Sequence, residues 1–398
     1  MPEAARCPVV TSDVQALSRR GWELTQAGDG VTGLACHEQA AALPTANAFT
    51  HYHKGHTELQ LGLAPAARRS FEKSVDSSNG GIPGVTLDKD PATEAHFQLA
   101  KLARDDGDLK RAELHYARAI ALSPDKPGAH VMLGVTLRDA GRANEALARY
   151  STGLRLQPAI PAAQYNRAQL LLQLDRRAEA LAGFEAAVTT DPSFALAYWA
   201  IGDELSSVGR HADALRAFKR HVALQPDSAQ GYYAMGKVYF TTRQLGRAIS
   251  AHTRALSLPP MDAAPHAYIH NDLGNALSDA SGRSDEVLHH YTRAATLMPH
   301  LAEALSNVGT ALKERTRHQE AAHYFQRAIV AKPTLCEAYK NLGSSYGEID
   351  GRLPEAVNAF EGALSACSVR ALSACSVRAL SACGVRALSA CGVRALSA

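Results

Sequence analysis

Residues 124–158 run from Pro124 through DKPGAHVMLGVTLRDAGRANEALARYSTGLRLQ to Pro158. Leu133, Gly134 and Leu137 share one helical face. Gly141 then interrupts the pattern, and Ala146, Tyr150 and Gly153 resume it on a second face. Apolar residues at i, i+3 or i+4, and i+7 make one side of a helix, and a central glycine ends it and allows the turn. Proline at the end has no amide proton and clashes with the preceding turn, so the second helix stops there. The stretch therefore predicts a hairpin of two helices.

The same stretch recurs. Pro124, Pro158, Pro192, Pro226 and Pro260 follow one another at 34-residue intervals, and Pro299 and Pro333 repeat the interval. Later copies run Ile201, Gly202, Leu205, Gly209, Ala214, Phe218, Pro226, and then Met235, Gly236, Tyr239, Ala248, His252, Ala255, Pro260. A fixed period of this length marks stacked helical units, each burying its apolar face on the next. Gly134, Gly202, Gly236, Gly274, Gly309 and Gly343 on the first helices, with Ala146, Ala180, Ala214, Ala248 and Ala321 on the second, are the small residues that let the pair close up. Extra residues near Met261 to Ala264, at Ser281 and near Asp350 fall in turns, where insertion costs little.

The pattern resembles the tetratricopeptide repeat family, whose 34-residue unit is a helix-turn-helix with these small, aromatic and proline positions. The match spans residues 93–364 in eight copies and implies an all-α, right-handed α-solenoid. A divergent repeat with a loop is expected at 48–92, and a divergent helical segment, readable as a degenerate repeat from Val14, at 1–47. From Ser365 the chain becomes SACSVRAL twice and SACGVRAL twice. Eight residues advance a helix about 80° beyond two turns, so Leu372, Leu380 and Leu388 wind around the axis and make no single buried face. This tract, 365–398, reads as a duplicated low-complexity tail; a capping or basic interaction tail is the alternative.

Composition narrows the functional classes. The chain has 398 residues, 46% hydrophobic, 20% charged and 6% aromatic, with a net charge of +3. Arg370, Arg378, Arg386 and Arg394 lie in the acid-free tail, and setting them aside leaves 38 basic against 39 acidic residues. A near-neutral body lacks the concentrated basic field of a nucleic-acid binder. RNA reading by helical repeats is disfavoured on the same ground. With no apolar run long enough to span a bilayer, no secretory leader over Met1 to Arg20 and no N-x-[ST] sequon, a soluble intracellular, cytoplasmic protein is expected. Cys7, Cys36 and Cys336 are scattered and the remaining four cysteines belong to the copied tail, so reduced thiols are expected. No partner but a protein or peptide is called for, and no cofactor.

Nothing in the sequence specifies an enzyme, and no catalytic residue is assigned. The string Gly231 to Val238 fits G-x-x-x-x-G-K but lacks the following Ser or Thr and lies inside a repeat's first helix, whereas a phosphate loop must open a helix after a strand. His51, His53 and His56 are close together, but with Glu58 as the one nearby acid they read as exposed or packing histidines rather than metal ligands.

The family resemblance implies that first helices line a concave groove, with the fifth and sixth positions of each facing it. Tyr165, Trp199 and Tyr233 hold the fifth position in three successive units. They serve either as aromatic anchors for a peptide or as packing against the neighbouring helix, with Tyr198 and Tyr232 beside them in the core. Asn166, Asn271, Asp272, Asn307, Lys340 and Asn341 make the same face polar, and an asparagine amide can both donate to and accept from an extended backbone. The face and the string Ala338 to Gly343 also resemble the repeats of O-GlcNAc transferase and SPINDLY-like glycosyltransferases, but no glycosyltransferase domain follows. The Lys and Asn pattern of a carboxylate clamp cannot be assembled, because Lys340 and Asn341 stand in the last full unit. These residues suggest a non-enzymatic scaffold that binds an extended peptide segment. The alternative is the substrate-recognition portion of an O-GlcNAc transferase-like enzyme.

Overall fold

The computed structural model describes residues 6–9, 11–77, 90–259, 263–281 and 285–366. Among them are twenty helices and no strand. The chain forms two compact units, residues 1–197 and 198–398. The first holds α1 (Val14–Gln26), α2 (Gly30–Ala41), α3 (Ala48–Gln60), α4 (Ala64–Ser77), α5 (Pro91–Asp105), α6 (Leu109–Leu122), α7 (Pro127–Asp139), α8 (Ala143–Leu156), α9 (Pro161–Gln173) and α10 (Arg177–Thr190). α11 (Ala195–Ser207) crosses the boundary. The second unit continues with α12 (His211–Leu224), α13 (Ala229–Thr241), α14 (Leu245–Leu256), α15 (Ala263–Ser281), α16 (Asp285–Leu297), α17 (Ala302–Glu314), α18 (His318–Ala331), α19 (Cys336–Gly347) and α20 (Leu353–Ala366). Within each unit odd-numbered helices pair with the even-numbered helices that follow, and each hairpin packs on the next. Each unit is an α-solenoid. The tail beyond Ala366, the turn-rich loop 78–89 and the insertion at 260–262 lie outside the described residues.

Sequence explains the hairpin. Pro91, Pro127 and Pro161 open α5, α7 and α9 at the first turn, where a missing amide proton costs nothing. The preceding turn is tied back at its proline: His130 Nε2 donates to the Pro124 carbonyl at 2.9 Å, and Gln164 Nε2 makes the same bond to Pro158 at 2.8 Å. Between the helices the chain enters the left-handed region. Gly107, Gly141, Gly209 and Gly351 take φ near +80° there, while Asp175, Arg243 and Thr316 hold the equivalent place at φ 57°, 59° and 60°. A β-branched threonine is strained in that conformation.

Hairpins with glycine at this register close on one contact, while α5 and α9 carry Ala100 and Ala168 there. A Cβ built on Gly202 would lie 2.6 Å from the Phe218 ring, one on Gly274 2.6 Å from Tyr291, and one on Gly309 2.7 Å from Phe325. The rings of Tyr116, Tyr150, Phe184, Phe218 and Phe325 are fully buried, and Tyr116 and Tyr150 in the first unit and Phe325 in the second join Leu, Val and Ala side chains into a core that runs from hairpin to hairpin.

One expectation is overturned. Cys7 and Cys36 form a disulfide across 29 residues of sequence, and Cys336 is disulfide-bonded too. The segment before α1 folds back so that Cys7 packs with Val9 against Val14, Leu17 and Ala40, bringing it to Cys36, which is fully buried on α2. Separation in sequence hid that return. No described helix is long and apolar enough to cross a membrane.

Two substitutions test the hairpin in opposite directions. Gly309→Val forces a branched side chain into the Phe325 ring and is expected to cost about 1–3 kcal/mol. Thr316→Gly relieves the left-handed strain and is expected to add about 1 kcal/mol. Urea unfolding followed by circular dichroism reads both.

Candidate functional site

The candidate residues all lie on odd-numbered helices. Tyr165 and Asn166 are on α9 in the first unit. Trp199, Tyr233, Asn271, Asp272, Asn307, Lys340 and Asn341 are on α11, α13, α15, α17 and α19 in the second. Tyr165 is half-buried between the rings of Phe184 and Phe194, each with centroids 5.4 Å away, and its hydroxyl accepts from Gln169 Nε2 at 2.8 Å. Asn166 beside it is half-buried.

In the second unit the first helices are stitched together by side chains. The Tyr233 hydroxyl donates to Asp272 Oδ2 at 2.9 Å, linking α13 to α15. Asn307 Nδ2 donates to Asn271 Oδ1 at 2.9 Å and to Asn275 Oδ1 at 3.1 Å, linking α17 to α15. Asn271 Nδ2 donates to Asp272 Oδ1, and the Tyr291 hydroxyl on α16 donates to Asn275 Oδ1 at 2.9 Å. Lys313 Nζ donates to Asn341 Oδ1 at 2.9 Å, linking α17 to α19. The predicted polar positions are thus brought into one network, with Lys340 half-buried beside it.

Burial sets the charges. It raises the Asp272 carboxyl, against the Tyr233 and Asn271 hydrogen bonds that lower it. Burial raises the Tyr233 phenol, and the facing Asp272 raises it further. Burial lowers the Lys313 ammonium. Asn271, at 7% exposure, is buried and braces Asn307. Asn307 keeps its carbonyl oxygen and Asn341 its amide nitrogen with no partner among the described residues. One acceptor and one donor are therefore left on adjoining helices, the pair of functions an extended peptide backbone offers in return. Trp199 is half-buried, with an indole N–H shielded from solvent and no partner among the described residues. Tyr198 and Tyr232, expected in the core, are half-buried.

Asn275, Tyr291 and Lys313 belong to this network and were missed. Asn275 lies four residues after Asn271, so helical periodicity marks the two as sharing a face. Nothing local marks Lys313, whose partner comes from the next hairpin.

The histidines of α3 pack. His53 stacks on Trp22 at 4.9 Å, His56 meets the same indole edge-on at 5.1 Å, and His37 from α2 lies 6.0 Å from His53. Burial lowers His37 and His53 to about 4. Among the described residues no group of three His, Cys, Asp or Glu side chains could hold a metal. Gly231 sits within α13 against His221 and opens no loop.

Stacked helical hairpins with a side-chain network along their first helices define a helical-repeat protein. The tetratricopeptide repeat model matches residues 52–127, 131–193 and 200–268, more than half of the sequence, and the chain belongs to that family. No curated protein matches the sequence. Among solved structures, the C-terminal part of a TPR repeat-containing protein from Cytophaga hutchinsonii is similar at 15% identity, with a TM-score of 0.51 over 62% of this chain and 99% of that one. PilF of Pseudomonas aeruginosa is similar at 18% identity and TM-score 0.47, over 54% of this chain and 96% of that one. YrrB, described as a TPR protein with an unusual peptide-binding site, is similar at 21% identity and TM-score 0.41, over 48% and 95%.

His252 yields a test. It occupies the ring position held by Phe218 and Phe325 in other hairpins, lies against Gly236 and next to Tyr233, and has neither ring nitrogen paired. Burial, then Lys237, lowers it from 6.5 to about 4. The folded form prefers it neutral, so its contribution is complete above pH 6.5 and is lost as pH falls from there through about 4. His252→Phe is expected to stabilise by about 1 kcal/mol at pH 7 and to flatten part of the loss below 6.5, read as urea midpoints across pH.

Proposed function

We propose that the protein is a non-enzymatic interaction scaffold that holds an extended peptide segment of a partner protein on the first-helix faces of its units. The observation that supports this most is the braced polar row of the second unit. Asn307 and Asn341 are held by their neighbours and still keep one acceptor and one donor unused. Held amides lose little side-chain entropy on binding and bond the partner's backbone rather than its side chains, which makes recognition tolerant of sequence. Trp199 offers the apolar surface of a half-buried indole, a feature of an anchor. Tyr165 in the first unit contributes ring area from between two phenylalanines.

A peptide or protein partner fits these faces, and neither a nucleic acid nor a membrane is proposed as one. The glycosyltransferase-like alternative would use the same residues, and no feature of them favours it. The pairing of Cys7 with Cys36 favours an oxidising compartment over the reducing cytoplasm expected from sequence.

A peptide selected by display against the intact protein supplies the ligand for a test. Trp199→Ala and Asn341→Ala are each expected to weaken it, Trp199→Ala by about 2 kcal/mol, with helicity unchanged. Full binding by both variants, with Trp199→Ala lowering stability, would show that the indole is packing and that the row is structural.

A further inference from the structure

Shallow dimples lie over two first helices, each between the second helices of its own hairpin and the one before. One, of about 360 Å³, lies over α9 between α8 and α10; the other, of about 440 Å³, lies over α13 between α12 and α14. They occupy corresponding places two repeats apart: Gln164, Leu171, Glu179 and Ala186 in the first correspond to Tyr232, Tyr239, Arg247 and Arg254 in the second. The scaffold is shared and the chemistry is not. The dimple over α9 carries Arg167 and Glu179 among small apolar residues, whereas that over α13 carries Lys219, Arg247 and Arg254 around two tyrosine rings and no acid.

Charge at the start of the second helix sets the difference. In five hairpins an arginine just before that helix pairs with an acid three residues on: Arg142 with Glu145, Arg176 with Glu179, Arg210 with Asp213, Arg317 with Glu320 and Arg352 with Glu355, at 2.5–2.8 Å. At α14 the pair is absent. Gln244 stands before the helix, Arg247 holds the acid's place, and Arg247 Nη1 donates to Gln244 Oε1 at 2.7 Å. The guanidinium of Arg247 lies over the Tyr239 ring at 5.9 Å and that of Arg254 over Tyr232 at 5.7 Å. Nearby Arg210, Arg216 and Arg243 are each paired with an aspartate. Lys219, Arg247 and Arg254 have no carboxylate partner among the described residues.

We propose that the dimple over α13 is an anion site that takes a phosphate dianion. Two guanidinium forks and one ammonium at the rim match a compact dianion, and the two tyrosine rings back the guanidiniums. The volume is in the range of small-ligand sites and leaves room beyond the phosphate itself. The site is separate from the peptide-binding reading and stands without it. Its ligand is either free phosphate or a phosphate carried on an aryl or similar group.

Calorimetric titration of the whole chain at low salt with phenyl phosphate, with inorganic phosphate and with uncharged phenol tests it. Both anions are expected to bind saturably and phenol not at all. Tighter binding of phenyl phosphate assigns the site to an organic ester, and equal binding assigns it to the free ion. The double variant Gln244→Arg with Arg247→Glu restores the pair that five other hairpins carry, so its fold is supported by the protein itself. It is expected to lose at least about tenfold in affinity, and Arg254→Ala, on the exposed side of α14, to lose affinity by a separate route. Absence of saturable binding to the wild type, or unchanged affinity in both variants, would overturn the proposal.

Discussion

The architecture depends on a ring seated against a residue with little or no side chain, glycine in most hairpins and Ala100 and Ala168 in two. At Gly202, Gly274 and Gly309 the aromatic residue of the second helix comes closer than any Cβ would permit, so the two helices of a hairpin approach backbone to ring. Close packing of this kind makes the hairpin a rigid block. Rigid blocks then stack, because each leaves an apolar side that only a neighbour can cover. Where the ring is His252 the geometry survives and the chemistry is compromised, with two ring nitrogens buried and unpaired.

Stacking determines what the first helices can do. Their shared face in the second unit is crossed by hydrogen bonds between hairpins, Tyr233 to Asp272, Asn307 to Asn271 and Lys313 to Asn341. These bonds have two consequences. They set the register of successive hairpins, and they hold the amides in place so that their unused donors and acceptors point in fixed directions. A surface built this way suits a ligand whose own groups repeat at regular intervals, which describes an extended backbone better than a compact molecule.

The fold was legible because its signals are local. Gly134 and Tyr150 lie sixteen positions apart within one period, and the period repeats often enough that substitutions such as Asp175 or Thr316 at a glycine position do not mask it. The candidate residues could be named as positions, but the network that joins them could not be read from the sequence. Asn307 and Asn341 follow from register alone, whereas Lys313 and Tyr291 enter through contacts between hairpins or helices that no local spacing announces. The Cys7–Cys36 pairing was illegible because it depends on the path of a segment outside any repeat. The loss of the pair at Gln244 and Arg247 was open to view in the sequence, but it gains meaning only once five other hairpins show the arginine and acid in contact.

Hydrogen–deuterium exchange of the intact protein with and without a display-selected peptide bears most directly on the claim that first-helix faces receive the partner. The account predicts added protection in Ala229–Thr241, Ala263–Ser281 and Ala302–Glu314, with Leu245–Leu256, Asp285–Leu297 and His318–Ala331 unchanged. Protection confined to those second helices would contradict it.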